Sequence, residues 1–561
     1  MTTTYGETMT TVNQLADELV EATLDYYPMM STLMIGPGPR DQKLSDYSPE
    51  FEQQYLANLA DLEARTAAID PAGLDATERV TRLVILDGID EMRKRLNSRL
   101  IEFTIVDNFS AASVEQLILL PMITLSTSEQ GEAYLARLRQ VPRVLEQLAD
   151  RHRAAVADGL MPVRHLVDET GEFIERYLSN DADPLQRPTL DGDADFVARR
   201  DAIIRDVVRP AYAKYRDVLL SEIAGHGRDK DHPGLSWLAG GDEVYADLIK
   251  IHTTTTRTAD ELHQTGLDIV AKLALEYREI GGRVFGVATE QEVFERLRTD
   301  PALRWTSADE LLDAARAAIE RAKAEAPKWF GRLPSQDCEV RPVPDDEAPG
   351  AAGAYYMPPA LDGSRPGIYY ANTYEVENRF RQACEATAFH EAVPGHHFQL
   401  TIAMELEELP LLRRLTAPNA YAEGWGLYTE RLAREMGLYS DDVALLGMLT
   451  LDSMRAARLV VDTGLHAKGW SKQQALDYMQ QNTPMSPVEI ESEVDRYIAD
   501  PGQALAYMVG RLEILRIRAE AEAALGDRFD IRAFHDTVLG SGGLPLGVLD
   551  QVVKDWVTTQ A

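Results

Sequence analysis

Cysteine is nearly absent from this 561-residue chain, which holds only two, Cys338 and Cys384, far apart in the sequence. A disulfide framework is therefore excluded, as is a structural zinc site built on thiolates, and a reducing compartment is expected. Basic charge is also scarce: 57 Lys and Arg face 91 Asp and Glu, a formal net charge of -34. Affinity for nucleic acid comes mainly from cationic side chains that neutralise phosphates, so nucleic acid is not an expected partner. No apolar run approaches the ~20 residues that span a bilayer. The opening stretch, MTTTYGETMTTVNQLADEL, lacks a basic segment followed by an apolar one. These absences predict a cytoplasmic protein with no membrane partner, and nothing in the sequence speaks to its oligomeric state. There is also no Gly-rich phosphate loop between a strand and a helix, and no G-x-S-x-G serine elbow.

What the chain does have is a core. Hydrophobic residues make up 45% and charged residues 26%, ordinary globular values. The length exceeds the roughly 100–200 residues of one domain, so the chain is either several domains or one large helical body. Apolar residues recur at three- and four-residue spacing in VNQLADELVEATLDYY, PEFEQQYLANLADLEART and GEAYLARLRQVPRVLEQLADRHRAAV, which predicts a helical scaffold over residues 1–330. Thr258 or Asp260 should cap a helix that follows it. His252 and His263, nearby, read as surface or hydrogen-bonded residues.

Composition shifts near residue 334 to Pro, Gly and Tyr, and CEVRPV and GIYYANTY predict a small sheet or hairpin. A strand edge there could hold an extended peptide by main-chain hydrogen bonds. Helical periodicity returns after residue 375. The expectation is an all-α fold with a small β element near residues 335–375, and a catalytic region over 331–561 continuous with the scaffold.

The chemistry concentrates in ATAFHEAVPGHHFQL. In H-E-x-x-H, two imidazoles one helical turn apart bind a zinc ion and the adjacent Glu activates water. Here the second His is displaced. In an unbroken helix His390 and His396 would stand ~9 Å apart along the axis and about 120° apart around it. Pro394 and Gly395 should break the helix and return His396 to the one-turn position. His397, about 10.5 Å from His390 by rise, is the alternative ligand and otherwise a hydrogen-bonding partner or transition-state donor. Glu391 is the candidate general base. Glu423, in the helical segment NAYAEGWGLYTERLARE, is the candidate third ligand. Glu430 shares its face, but beside Arg431 and Arg434 it reads as a solvated ion-pairing position. Tyr507 is a further candidate oxyanion donor, and Arg511, one turn on, could bind a substrate carboxylate. Tyr355, Tyr356, Tyr369 and Tyr370 are candidate groove-wall contacts, with Tyr369 and Tyr370 assigned to substrate.

HEAVPGHHFQ, AYAEGWGLYTERLA and DPGQALAYMVGRLEILRIR resemble the bacterial family known as domain of unknown function 885, whose members are regarded as relatives of zinc metallopeptidases. The resemblance covers most of the chain. More distantly, the order of a His-Glu helix, a Glu-bearing helix and a Tyr-rich terminal helix is similar to the carboxypeptidase Taq group, which implies an elongated helical fold with a deep groove. The resemblance implies His390, His396 and Glu423 as ligands of one zinc ion and Glu391 as base. This sequence departs from the distant group by two extra residues between the histidines. The activity so implied is hydrolysis of peptide or amide bonds, with short peptides as substrates. The rival expectations are a metal-dependent hydrolase of a non-peptide amide or small metabolite, and a non-catalytic helical binding protein.

Overall fold

A computed structural model describes residues 11–560 apart from 109, 110, 346, 347, 349–351, 362 and 364. The first ten residues of the opening stretch lie outside it. Short polar residues start the helices as their chemistry requires. Asp75, Thr127, Thr258 and Ser486 each accept a hydrogen bond from the third helical N–H, while the Glu or Gln at that position bonds back to the cap, satisfying donors that the helix itself leaves free. Thr258, rather than Asp260, opens helix α1 (Ala259–Phe285), which ends at Gly286 in the left-handed region (φ 68°).

Three strands follow: β1 (Cys338–Pro342), β2 (Ala354–Met357) and β3 (Gly367–Ala371). The sheet order is β1-β3-β2, with β1 parallel to β3 and β2 antiparallel to it. The hairpin alternative is therefore corrected: CEVRP and GIYYA run parallel, which needs a crossover, and AYYM forms the returning strand within that crossover. Neighbouring strand residues face opposite ways, so Tyr369 is buried at 2% exposure while Tyr370 stacks on Tyr355 with ring centroids 5.0 Å apart. The two tyrosines assigned to one wall do not share it.

The remaining helices that bear on the site are α2 (Cys384–Glu391), α3 (His396–Glu405), α4 (Asn419–Glu435), α5 (Asp442–Ala467), α6 (Pro487–Ala499) and α7 (Ala506–Leu525). α5 is buried on nearly every side between Ala444 and His466, as a helix apolar all round should be. It packs along α1, where Gly266 admits Leu459 and Val460; a Cβ on Gly266 would fall 2.7 Å from the Val460 side chain. α4 packs on α7 at Gly424 and Gly510, where a Cβ on Gly510 would meet the Ala420 carbonyl at 1.8 Å.

The largest hydrophobic core runs from Val12 to Val553 and crosses residue 330 without a break, taking in α1, α2, α4 and α7. A second core lies among residues 29–224. The fold is mainly helical with one small sheet. No helix among the described residues is long and apolar enough to cross a membrane.

Candidate metal centre

The interruption in HEAVPGHH is complete. α2 stops at Glu391, the Val393–Pro394 peptide is cis, and α3 begins at His396. Gly395 serves by closeness rather than by a left-handed backbone: its φ is -79°, and a Cβ there would overlap the His390 carbonyl oxygen at 1.8 Å. The break is fastened by Trp425 of α4, whose indole N–H donates to the Pro394 carbonyl at 2.9 Å. His396 is thereby folded back onto His390, the two rings meeting edge to face with centroids 4.7 Å apart.

α4 crosses this turn and brings Glu423 to both rings. Its Oε2 lies 3.5 Å from His390 Nε2 and 3.4 Å from His396 Nε2, and the ligand atoms of the three residues all lie within 4.8 Å of one another. Those separations exceed an ordinary N–H···O contact of about 2.7–3.2 Å. They match the roughly 3.4 Å between two donors that share a tetrahedral ion at ~2.1 Å. The electrostatics agree. Burial works against protonation of His390, yet Glu423 and Glu430 hold its pKa up to about 9. Burial alone would raise the Glu423 carboxyl, but the two imidazoles hold it well below the usual carboxylate range. The site stabilises a positive charge among its three donors, and two imidazoles with one carboxylate suit a catalytic zinc ion that keeps a coordination position for water.

Among the described residues one other group, His165, Glu169 and Asp495, clusters as tightly. There the contacts are ordinary hydrogen bonds: His165 Nε2 and Lys472 Nζ each lie 2.7 Å from the Asp495 carboxylate. The Asp495 carboxylate of that group is already paired with the Lys472 ammonium.

Glu430 corrects the sequence reading. It is not solvated: at 1% exposure it accepts a hydrogen bond from His390 Nδ1 at 2.8 Å. The signal was its seven-residue spacing from Glu423, which puts both carboxylates on one face of α4. His397 is also placed otherwise. One residue beyond His396, it is turned by about 100° toward the sheet, with Nδ1 2.9 Å from the Tyr356 hydroxyl and Nε2 2.9 Å from the Gln336 carbonyl. It stands outside the cluster and ties β2 and the Gln336 loop to α3.

Glu391, half-buried at the end of α2, is close enough that its charge raises the pKa of both His390 and Tyr369. Tyr507 of α7 stacks beside His390 with ring centroids 6.4 Å apart, and burial followed by the Glu423 charge raises its hydroxyl pKa. Arg511 does not face this space. It is buried against Asp452 of α5, which also takes the Arg431 guanidinium, so its charge is already neutralised. Sequence reasoning missed the cations that do face Tyr507. Arg455 and Arg458 of α5 lie over its ring at 5.6 and 4.6 Å. Arg458 bonds the Tyr497 hydroxyl and Glu493 of α6, yet one of its terminal nitrogens and Arg455 Nε are buried without a hydrogen-bond partner. Arginines on a long apolar helix gave no sequence signal of a shared site.

A solved structure described as that of a candidate lipoprotein from Colwellia psychrerythraea matches with a TM-score of 0.91 and 29% identity, covering 97% of this chain and 99% of that one. A second, described as a candidate lipoprotein of unknown function from Shewanella oneidensis, matches with a TM-score of 0.73 and 18% identity over 97% and 99% of the two chains, and shows the shared fold alone. No curated protein matches. Residues 28–553 match the family described as bacterial protein of unknown function, DUF885, and the chain belongs to that family.

Proposed function

We propose that this chain is a zinc-dependent hydrolase of peptide or amide bonds, acting on short peptides with a carboxypeptidase-like preference for a free carboxylate. The convergence of His390, His396 and Glu423 at the separations of a shared ion carries this reading. One zinc ion held by these three would supply Lewis acidity toward a carbonyl oxygen and lower the pKa of water. The same donors accept other divalent ions, so the choice of metal also follows supply. Glu391 takes the proton of the attacking water and delivers it to the leaving nitrogen. Tyr507 donates to the developing oxyanion. Arg455 and Arg458, whose guanidinium groups lie over the Tyr507 ring, bind the substrate carboxylate in place of Arg511, which is turned to Asp452. The distant likeness to the carboxypeptidase Taq group supports the same chemistry.

Mass spectrometry of a peptide library incubated with zinc-loaded protein tests this. Cleavage is expected from the wild type and a loss of at least about 100-fold from Glu391→Gln. Arg458→Met should lower kcat/KM on free-acid peptides by about 10- to 100-fold, the equivalent of one hydrogen bond to a charged group at ~1.5–3 kcal/mol, and spare carboxy-amidated ones. Turnover of non-peptide amides alone would move the reading to a small-metabolite hydrolase. A zinc-loaded protein inert on both classes would leave a binding protein. A cytoplasmic site of action belongs to the same proposal, and cell fractionation tests it against the membrane recovery that the Colwellia relative's description suggests.

A further inference from the structure

A buried carboxylate is costly unless it is paired and hydrogen-bonded, and Glu430 has few partners. Its side chain is 1% exposed. One oxygen accepts from His390 Nδ1 at 2.8 Å, while the other has no hydrogen-bond partner. The nearest arginine, Arg455, stands 4.0 Å away, beyond hydrogen-bond reach. Nothing in helix packing calls for an anion here; Leu432 and Ala433 on the same helix are fully buried and apolar.

The geometry of α4 gives the carboxylate a use. Glu423, Gly426 and Glu430 stand at positions i, i+3 and i+7, along one helix face. The His390 ring lies against that face. Glu423 approaches its Nε2 at 3.5 Å and Glu430 its Nδ1 at 2.8 Å. Gly426 leaves room between them, since a Cβ there would fall 2.7 Å from the ring. A carboxylate on Nδ1 keeps a proton on that nitrogen, so when a cation displaces the Nε2 proton the lone pair left free is the one on the side of Glu423 and His396. The Tyr439 hydroxyl donates to the Glu430 backbone carbonyl at 2.9 Å, fixing α4 at that point.

We propose that Glu430 is a positioning residue for the metal centre, fixing the tautomer and ring plane of His390 so that Nε2 presents its lone pair to a divalent cation. The inference deepens the reading above and rests on it. Carboxylates that orient ligating histidines typically contribute about 10- to 100-fold in metal affinity, and the same range is expected here.

Titration of the metal-free protein with zinc alone, against a competing chelator, tests it in the wild type, Glu430→Gln and Glu430→Ala. Cobalt absorption serves as the spectroscopic readout. Glu430→Gln keeps an acceptor but loses the charge, so zinc affinity should fall about 10-fold, and Glu430→Ala should approach about 100-fold. The cobalt spectrum should shift in both, while thermal unfolding of the metal-free Glu430→Gln variant stays near that of the wild type. Zinc binding by the wild type with unchanged affinity and cobalt spectrum in Glu430→Gln would overturn the inference and leave the metal centre standing. Should Glu430→Ala fail to fold, Glu430→Gln alone decides. A wild type that binds no zinc would remove the reading and the inference together.

Discussion

Gly426 shows how much of the site depends on one missing methyl group. In a helix interior alanine is favoured over glycine by about 1 kcal/mol, so Gly426→Ala should stabilise α4. A Cβ at this position would instead fall 2.7 Å from His390 Cε1 and Nε2 and push the ring off its carboxylates. Displacing a buried ring from its carboxylates outweighs that gain, so the variant is expected to unfold below the wild-type temperature and to bind zinc at least ~10-fold more weakly, in the range of other losses of ligand orientation. Calorimetric unfolding beside zinc titration checks both; unchanged zinc affinity would show that the ring is not held there. At this scale the residue types and spacing made His390, His396 and Glu423 legible as one group. Spacing alone did not separate a buried Glu430 from a solvated one, because an i+7 carboxylate beside two arginines suits either. His397 was ambiguous because the direction of a side chain after a helix break is set by tertiary contacts, here Tyr356 and the Gln336 carbonyl.

Between elements, α4 is held from below by the helix Ile531–Leu539. The Tyr428 hydroxyl donates to His535 Nε2 at 2.8 Å, and His535 Nδ1 donates to the Trp329 carbonyl at 2.8 Å. Burial, opposed by the hydrogen bond to that carbonyl and aided by the Arg518 charge, lowers the His535 pKa to about 3. The folded chain therefore keeps His535 neutral where the unfolded chain, with a pKa of about 6.5, takes up a proton. Its contribution to stability is complete above about pH 6.5 and is lost as the pH falls toward 3. Glutamine can replace both hydrogen bonds but does not titrate. Wild type should thus be clearly more stable than His535→Gln at pH 7, and that difference should shrink by ~2 kcal/mol by pH 5, as urea unfolding at the two values would read. A difference independent of pH would place His535 in a wetter environment. The elements themselves were largely readable, since capping boxes and apolar periods mark helix starts locally. The parallel pairing of β1 with β3 was not, because it depends on a crossover between distant segments and not on either strand's own sequence.

For the molecule as a whole, helical periodicity gave the fold class, and the continuous core from Val12 to Val553 follows from the apolar faces those helices must cover. Sequence patterns are silent on which faces meet, and that is why the arginines of α5 behind Tyr507 became visible only in three dimensions. Hydrolysis by this chain depends on whether the three donors that α2, α3 and α4 bring together hold an ion. Elemental mass spectrometry of the purified wild type beside folded His390→Ala and Glu423→Ala variants answers this most directly. Close to one zinc per chain in the wild type and none in either variant is the predicted result; a wild type that carries no divalent metal and takes none up on reconstitution would contradict it.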